Sequence, residues 1–472
     1  MVNCKAIEML KALSIWELKA MEKFVQSPFH NPNAQVTALF NNLNTYYPDF
    51  QTNAISYASL SCKLFHSKRP DVPKFRHLLT ELTRLLENFY CQLALEANEQ
   101  KRKNLLAQEL IKRNLDKILL QQLTISKHSH QPKKDIAYYE NQTALSEIRY
   151  EFTSSRQNRQ PEKELQSLSD NLDHFYVAKK LKYCCEMLNR ANIMGTQHSI
   201  PMLQPLMSYL TNNRETTPII AIYHQILLTI TDHKNEKHFE KLKTLLHKHT
   251  RELTTKENRD IYAFAQNYCI KQLNTGNTNY LKELFIIYKT VLEEQIIFDN
   301  SMLSHADFKN ICAVGIRLQE LKWVEEFIIS YQRYLSLELR KNSVNYNTAR
   351  LLFARNQPKP AIKLLTTVEF TDVFYHLDAK MLLLKIYYDN RDYEPLYALI
   401  NSFKIYLKRS KLLSDYQRTI YYNFLTKAKL LAQLSSGDKL INEKIKATLL
   451  QNTVTADVSW INEKTKTLLP LN

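Results

Sequence analysis

Only four glycines occur in 472 residues (Gly195, Gly276, Gly315 and Gly437), where about 7% is ordinary. Glycine-rich phosphate loops and tight β-hairpins need backbone at positive φ, so such poverty argues against both, and it leaves little room for flexible linkers. No proline falls between Ile219 and Gln357, as an uninterrupted run of helices permits. No window approaches the ~20 apolar residues of a membrane span. The nearest, PIIAIYHQILLTI from Pro218, contains His224 and Gln225 and reads as a buried helix. The opening residues MVNCKAIEMLKALSIWELK are charged throughout and lack the apolar core of an export signal. The seven cysteines form no CxxC pair, and the adjacent Cys184 and Cys185 would make a strained bridge. A reducing cytoplasm is the expected location.

Catalytic and metal signatures are missing as well. There is no HExxH. His247 and His249 stand about 200° apart around a predicted helix, and His233 and His238 are no better placed to chelate one ion. His128 and His130 lie in a polar loop that would bind a metal weakly. All six read as ordinary surface histidines. Cys269 and Cys312 lie in apolar helical contexts, where an inert buried thiol is the common role. The expectation is a chain with no enzymatic activity, no cofactor and no metal.

What is present is helix. Hydrophobic residues make up 44% of the chain, enough for a core. Ser14 and Glu17 have capping-box spacing before apolar Trp16, Met21, Phe24 and Val25. Pro73 opens a long helix with Phe75, Leu79, Leu82, Leu86, Phe89 and Leu93 at near-heptad spacing, which suits a bundle or a coiled-coil-like seam. The next helix carries Leu106, Leu110, Leu115, Leu119 and Leu123, with Arg102, Arg113 and Lys117 on one face. From about Asp135 to Ser336 the pattern predicts helices in pairs, with Ser154–Lys163 as the best linker. Asn267 and Asn310 interrupt apolar helix faces, as buried amides or as groove-lining residues. Three regions are expected: an N-terminal basic helical domain (1–134), an irregular array of helical hairpins (135–342), and a C-terminal region ending in capping helices (343–472).

The clearest order lies between Ser343 and Phe403, where NTARLLFARNQPKPAIKLL is followed by MLLLKIYYDNRDYEPLYALI. Asn356 and Asn390 mark helix breaks 34 residues apart. At that offset Ala349 falls on Leu383, Phe353 on Tyr387, Leu365 on Leu399 and Val368 on Ser402. Ser343 is placed as a helix cap, Pro358 and Pro360 in the first turn of a second helix, and Asp392 as the cap of a fourth.

This period resembles the tetratricopeptide repeat, with small residues at Ala349 and Ala361 but Leu383 and Pro395 at the corresponding places of the second copy. The resemblance implies an all-α, TPR-like α-solenoid whose concave face binds protein or peptide through the first helix of each pair. The inward positions would be Tyr346, Asn347, Arg350 and Phe353, then Lys380, Met381, Leu384, Tyr387 and Tyr388. Arg350 and Lys380 would grip acidic side chains or a carboxylate. More broadly, KFVQSPFHN, NYCI, FKNICAVG and YYDNRDYE resemble segments of a bacterial family of all-helical proteins, a likeness that carries no activity with it.

Charge suggests an alternative. The net charge is +17, and Leu60–Lys134 holds 15 Lys and Arg against 7 Asp and Glu. Basic excess favours anionic partners through long-range steering. LSCKLFHSKRPDVPKFRHLLTELTRLLENF resembles the helical half of the winged-helix domain of bacterial activators, although no strand pair or glycine turn follows to form a wing. That resemblance implies phosphate contacts from Arg69, Lys74, Arg76 and Arg84. With Arg102, Arg113 and Lys117 these would make a nucleic-acid-binding surface; the plainer reading is a solvated helix face.

Overall fold

The described residues are helical almost throughout, and the one isolated bridge, between Asp299 and Met302, belongs to no strand. The computed structural model describes residues 4–50, 56–125, 133–156, 161–194, 198–212, 217–367, 373–410, 412–435, 447–449, 451 and 454–468. His128, His130, Gly195, Gly437, Val368, the centre of the expected linker and most of an expected helix over 439–450 lie outside them. No described helix is long and apolar enough to cross a membrane. The chain forms two compact units, Met1–Lys180 and Leu181–Asn472.

In the first unit α1 (Lys5–Lys11), α2 (Ile15–Gln26), α3 (Ala34–Asn44) and α4 (Tyr57–Phe65) all pack on α5 (Val72–Ala97). The capping box forms as its spacing requires: Glu17 N–H donates to Ser14 Oγ at 3.2 Å, and Ser14 N–H donates to Glu17 Oε2 at 2.7 Å. Leu18, Met21 and Val25 make the buried stripe of α2, whereas Trp16 stands off it and is exposed. Helix α5 starts at Asp71, whose carboxylate accepts the Lys74 N–H at 3.0 Å, and buries Phe75, Leu79, Leu82, Leu86 and Phe89 against its four neighbours. It is therefore the centre of a bundle.

The helix expected to follow is two helices, α6 (Glu99–Lys112) and α7 (Asp116–Ile125). Asn114 adopts the left-handed conformation (φ 57°) between them, and the Leu115 N–H turns back to Leu110 C=O at 3.0 Å. Asparagine tolerates that conformation, so the helix ends without glycine or proline. Arg102 thus belongs to a different helix from Lys117, and no single helix face carries Arg102, Arg113 and Lys117. Helices α8 (Ile136–Ser155) and α9 (Pro161–Met194) follow, and no strand appears after α5 among the described residues.

The second unit contains the end of α9, then α10 (Leu203–Asn212), α11 (Pro218–Thr231), α12 (Glu236–His249), α13 (Thr255–Asn274), α14 (Tyr280–Glu293), α15 (His305–Arg317), α16 (Leu321–Tyr331), α17 (Leu337–Ala354), α18 (Pro358–Thr366), α19 (Val373–Asp389), α20 (Tyr393–Arg409), α21 (Asp415–Ser435) and α22 (Val458–Leu468). Helices from α11 to α20 pack in consecutive pairs, and α14, α16, α18 and α20 each also touch the first helix of the next pair. The apolar run from Pro218 is α11, buried as expected, with the Gln225 amide donating to His238 C=O at 2.8 Å.

Four junctions inside these pairs share one turn. Gly276, Gln319, Asn356 and Arg391 take the left-handed conformation, with φ of 98°, 62°, 59° and 62°. Each donates its N–H three residues back, and the next residue donates five back, as in Asn356 to Phe353 and Gln357 to Leu352, both at 2.9 Å. This is the Schellman closure, which satisfies the last carbonyls of the first helix. The turn residues at 276, 319, 356 and 391 are 43, 37 and 35 residues apart. Seven before them lie Cys269, Cys312, Ala349 and Leu384, all buried. Five after them lie Leu281, Val324, Ala361 and Leu396, and nine after them Phe285, Ile328, Leu365 and Ile400, again all buried.

Two expectations change here. The offset between the last two pairs is 35 residues, because Arg391 rather than Asn390 makes the left-handed turn. Ser343 is no cap: α17 begins at Leu337, leaving Ser343 buried within the helix with its carbonyl accepting from the Asn347 amide at 2.8 Å. Pro358 and Pro360 do open α18.

Gly315 leaves no room for a side chain between α15 and α16, since a Cβ there would lie 2.5 Å from Val324 Cγ2. Gly315→Leu is expected to destabilise the protein by about 1–3 kcal/mol through overpacking, and Val324→Ala in the same chain to recover part of it. Urea unfolding midpoints of the single and double variants check this.

Candidate functional site

Three first helices turn corresponding stripes toward one cleft of about 610 Å3 in the second unit. Helix α15 contributes Lys309, Asn310, Ala313 and Ile316, α17 contributes Tyr346, Arg350, Phe353 and Ala354, and α19 contributes Asp378, Met381, Leu382 and Lys385. Spacings of three and four residues put each set on one helix face. Tyr421 of α21 and Ala456, Asp457 and Trp460 around the start of α22 complete the wall.

The charges are arranged unequally. Lys309 Nζ donates to Asp378 Oδ2 at 2.6 Å and lies 5.2 Å from the Tyr375 ring centroid. Lys385 pairs with Asp457 and lies 5.9 Å from the Trp460 ring. Burial pushes the Asp457 carboxyl up, but Lys385 beside it, the Ser459 hydroxyl and the Trp460 N–H together hold it below the usual carboxylate range. Arg350 is different. Its guanidinium lies 5.7 Å from the Tyr346 ring centroid and has no carboxylate or hydrogen-bond partner among the described residues. Three cations thus face two carboxylates, and the unmatched charge is the half-buried Arg350. Burial pushes the phenols of Tyr346 and Tyr421 up to about 12, so both present neutral hydroxyls at neutral pH.

Of the residues expected to line a groove, Arg350, Phe353 and Met381 do, and Tyr346 contributes to the wall although it is largely buried. Asn347 is fully buried, its amide bonded to Ser343 C=O. Tyr388 is buried with its ring 5.2 Å from that of Trp460. Lys380 lines a separate cavity of about 210 Å3 with His376 and Leu383, its ammonium 6.0 Å from the Phe403 ring. For Lys380 the cause is the one-residue difference in offset, since one residue is about 100° around a helix. At 35 residues Arg350 corresponds to Lys385 and Tyr346 to Met381, and these are the residues at the cleft. Asn310 also lines it, while Asn267 lines a different cavity. Lys309, Asp378, Asp457 and Trp460 had no signal in the sequence.

The surroundings of Lys380 have a consequence for pH. Burial, and then Lys380 nearby, push the His376 imidazole down, and burial with Lys241 and His238 does the same to His224. Both folded values lie below the ~6.5 of an unfolded histidine, so the unfolded chain takes up protons first. Stability is fully present above about pH 6.5 and falls as pH drops through that value. Unfolding midpoints at pH 7.5 and 5.5 should differ accordingly. His376→Phe, keeping a ring in the tilted contact with Tyr406 (centroids 4.5 Å apart), should shrink the difference.

In the first unit Arg69, Lys74, Arg76, Arg102, Arg113 and Lys117 are all exposed. Lys74 lies 4.7 Å from the Phe65 ring, Arg76 lies 5.4 Å from the Tyr57 ring, and Arg113 pairs with Glu109. Arg76 and Arg84 share an open cleft with Lys5, which pairs with Glu87.

Burial pushes the Cys269 thiol up to about 12 and raises Cys312 as well, the opposite of an activated thiolate. No three His, Cys, Asp or Glu side chains gather into a metal-holding group among the described residues. The chain matches no family model, no curated protein and no solved structure.

Proposed function

We propose that this is a cytoplasmic, non-enzymatic scaffold that binds an acidic protein segment or peptide in the cleft of its second unit. The helix pairs from α13 to α20 are read as TPR-like units of an α-solenoid, each too small to bury both its faces alone. Their common Schellman turn and matching buried positions support that reading, and the seven free thiols suit a reducing compartment. The observation that carries the function is Arg350, an unmatched guanidinium in a cleft whose other cations are already paired. A planar fork of donors beside aromatic walls suits a carboxylate, which it holds bidentately.

Capture of partners by the tagged chain from lysate, with and without nuclease, tests this against the alternative of a nucleic-acid-associated regulator. A protein partner that survives nuclease and is lost with Arg350→Glu supports the cleft. Recovery that vanishes after nuclease and depends instead on Arg76 and Arg102 would replace it.

A further inference from the structure

A second cavity of the same unit, about 480 Å3, opens among α9, α11, α12 and α13. That volume falls within the range of small-molecule sites. Its floor is apolar, built from Ile226, Ile230, Leu242 and Phe264. Some of its polar groups are already engaged: the Thr229 hydroxyl donates to Gln225 C=O at 2.8 Å and the Tyr268 hydroxyl to His233 C=O at 3.3 Å. Three on α13 are not. Asn267, Lys271 and Asn274 follow one another at four and three residues, a single stripe on the helix, and none has a hydrogen-bond or ionic partner among the described residues. No Asp or Glu lines the cavity, so the half-buried Lys271 meets no opposite charge there; Asn267 is half-buried, Asn274 stands exposed at the rim, and Asn189 and His233 complete the polar lining.

We infer that this cavity binds a small molecule with an apolar body and one carboxylate, the carboxylate held by Lys271 and flanked by the Asn267 and Asn274 amides. The chemistry is complementary at both ends. The floor rewards burial of a hydrocarbon or aryl group, while the stripe offers N–H donors and one positive charge, which a carboxylate satisfies and an alcohol or an ammonium does not. The site is separate from the Arg350 cleft and does not depend on the peptide reading.

The test is calorimetric titration of the full chain with decanoate and, at equal length, decanol. Saturable one-to-one binding of decanoate, tighter than decanol, is expected. Lys271→Met should weaken decanoate at least about tenfold, the scale of a lost charge-assisted hydrogen bond, and leave decanol unchanged. Lys271→Arg should retain decanoate binding, Ile230→Trp should block both ligands, and Arg350→Glu should alter neither. The inference is overturned if decanoate does not saturate the protein below its own aggregation concentration, or if decanol binds as tightly. It is equally overturned if Lys271→Met, with an unchanged melting curve, binds decanoate as the parent does; the cavity would then be a hole for an apolar side chain.

Discussion

Glu257→Ala is expected to destabilise the second unit by about 3–5 kcal/mol, the cost of leaving a largely buried ion pair without one partner. Lys182 of α9 reaches Glu257 Oε1 at 3.1 Å and Asp260 Oδ2 at 2.7 Å. The fully buried Tyr223 of α11 donates its hydroxyl to the same Glu257 oxygen. Burial alone would push the Lys182 ammonium down, but Asp260 and Glu257 outweigh it and raise its pKa. Removing Glu257 leaves a phenol with no acceptor and a half-compensated cation among α9, α11 and α13. Because the chain has two units, a local readout is better than one melting temperature. Amide exchange in α11 and α13 should accelerate by roughly two to four orders of magnitude, while α1 to α5 stay protected. Replacing the whole group by apolar residues (Lys182→Met, Glu257→Leu and Tyr223→Phe together) should recover most of the loss, since buried ion pairs often gain little over well-packed hydrocarbon.

Arg350→Glu should abolish binding of acidic peptides, with a loss of about a hundredfold or more. A neutral substitution removes one charge-assisted contact, about 1.5–3 kcal/mol, and charge reversal adds repulsion inside a partly desolvated cleft. Lys380→Glu should have little effect, because Lys380 faces the other cavity. Lys385→Glu should lie between them, since it breaks the pair with Asp457 that anchors the start of α22 as well as changing the cleft. Fluorescence anisotropy with labelled peptides, repeated at two salt concentrations, separates these outcomes.

The all-helical fold was legible because it followed from absences: four glycines, and no proline across the centre of the chain. The turn at Asn356 was legible because an asparagine, which tolerates the left-handed conformation, is followed there by Pro358 and Pro360. The next turn misled for a related one. Asn390 is the better turn former by type, yet Arg391 beside it takes the left-handed conformation (φ 62°). That single position turns the second-copy groove residues by about 100°, so that Met381 rather than Lys380 corresponds to Tyr346 and Lys385 rather than Leu384 to Arg350. The break at Asn114 was missed because no glycine or proline marks it. The remaining cleft residues come from tertiary structure: Lys385 meets Asp457 across 72 residues and Lys309 meets Asp378 across 69, distances over which local periodicity says nothing.

Selection of random displayed peptides on the immobilised full chain tests the binding cleft most directly. Peptides enriched in Asp, Glu or a free C-terminal carboxylate are predicted, bound as tightly by Lys380→Glu as by the parent and lost on Arg350→Glu. Peptides without acidic character, or acidic peptides that bind Arg350→Glu undiminished, would contradict the account.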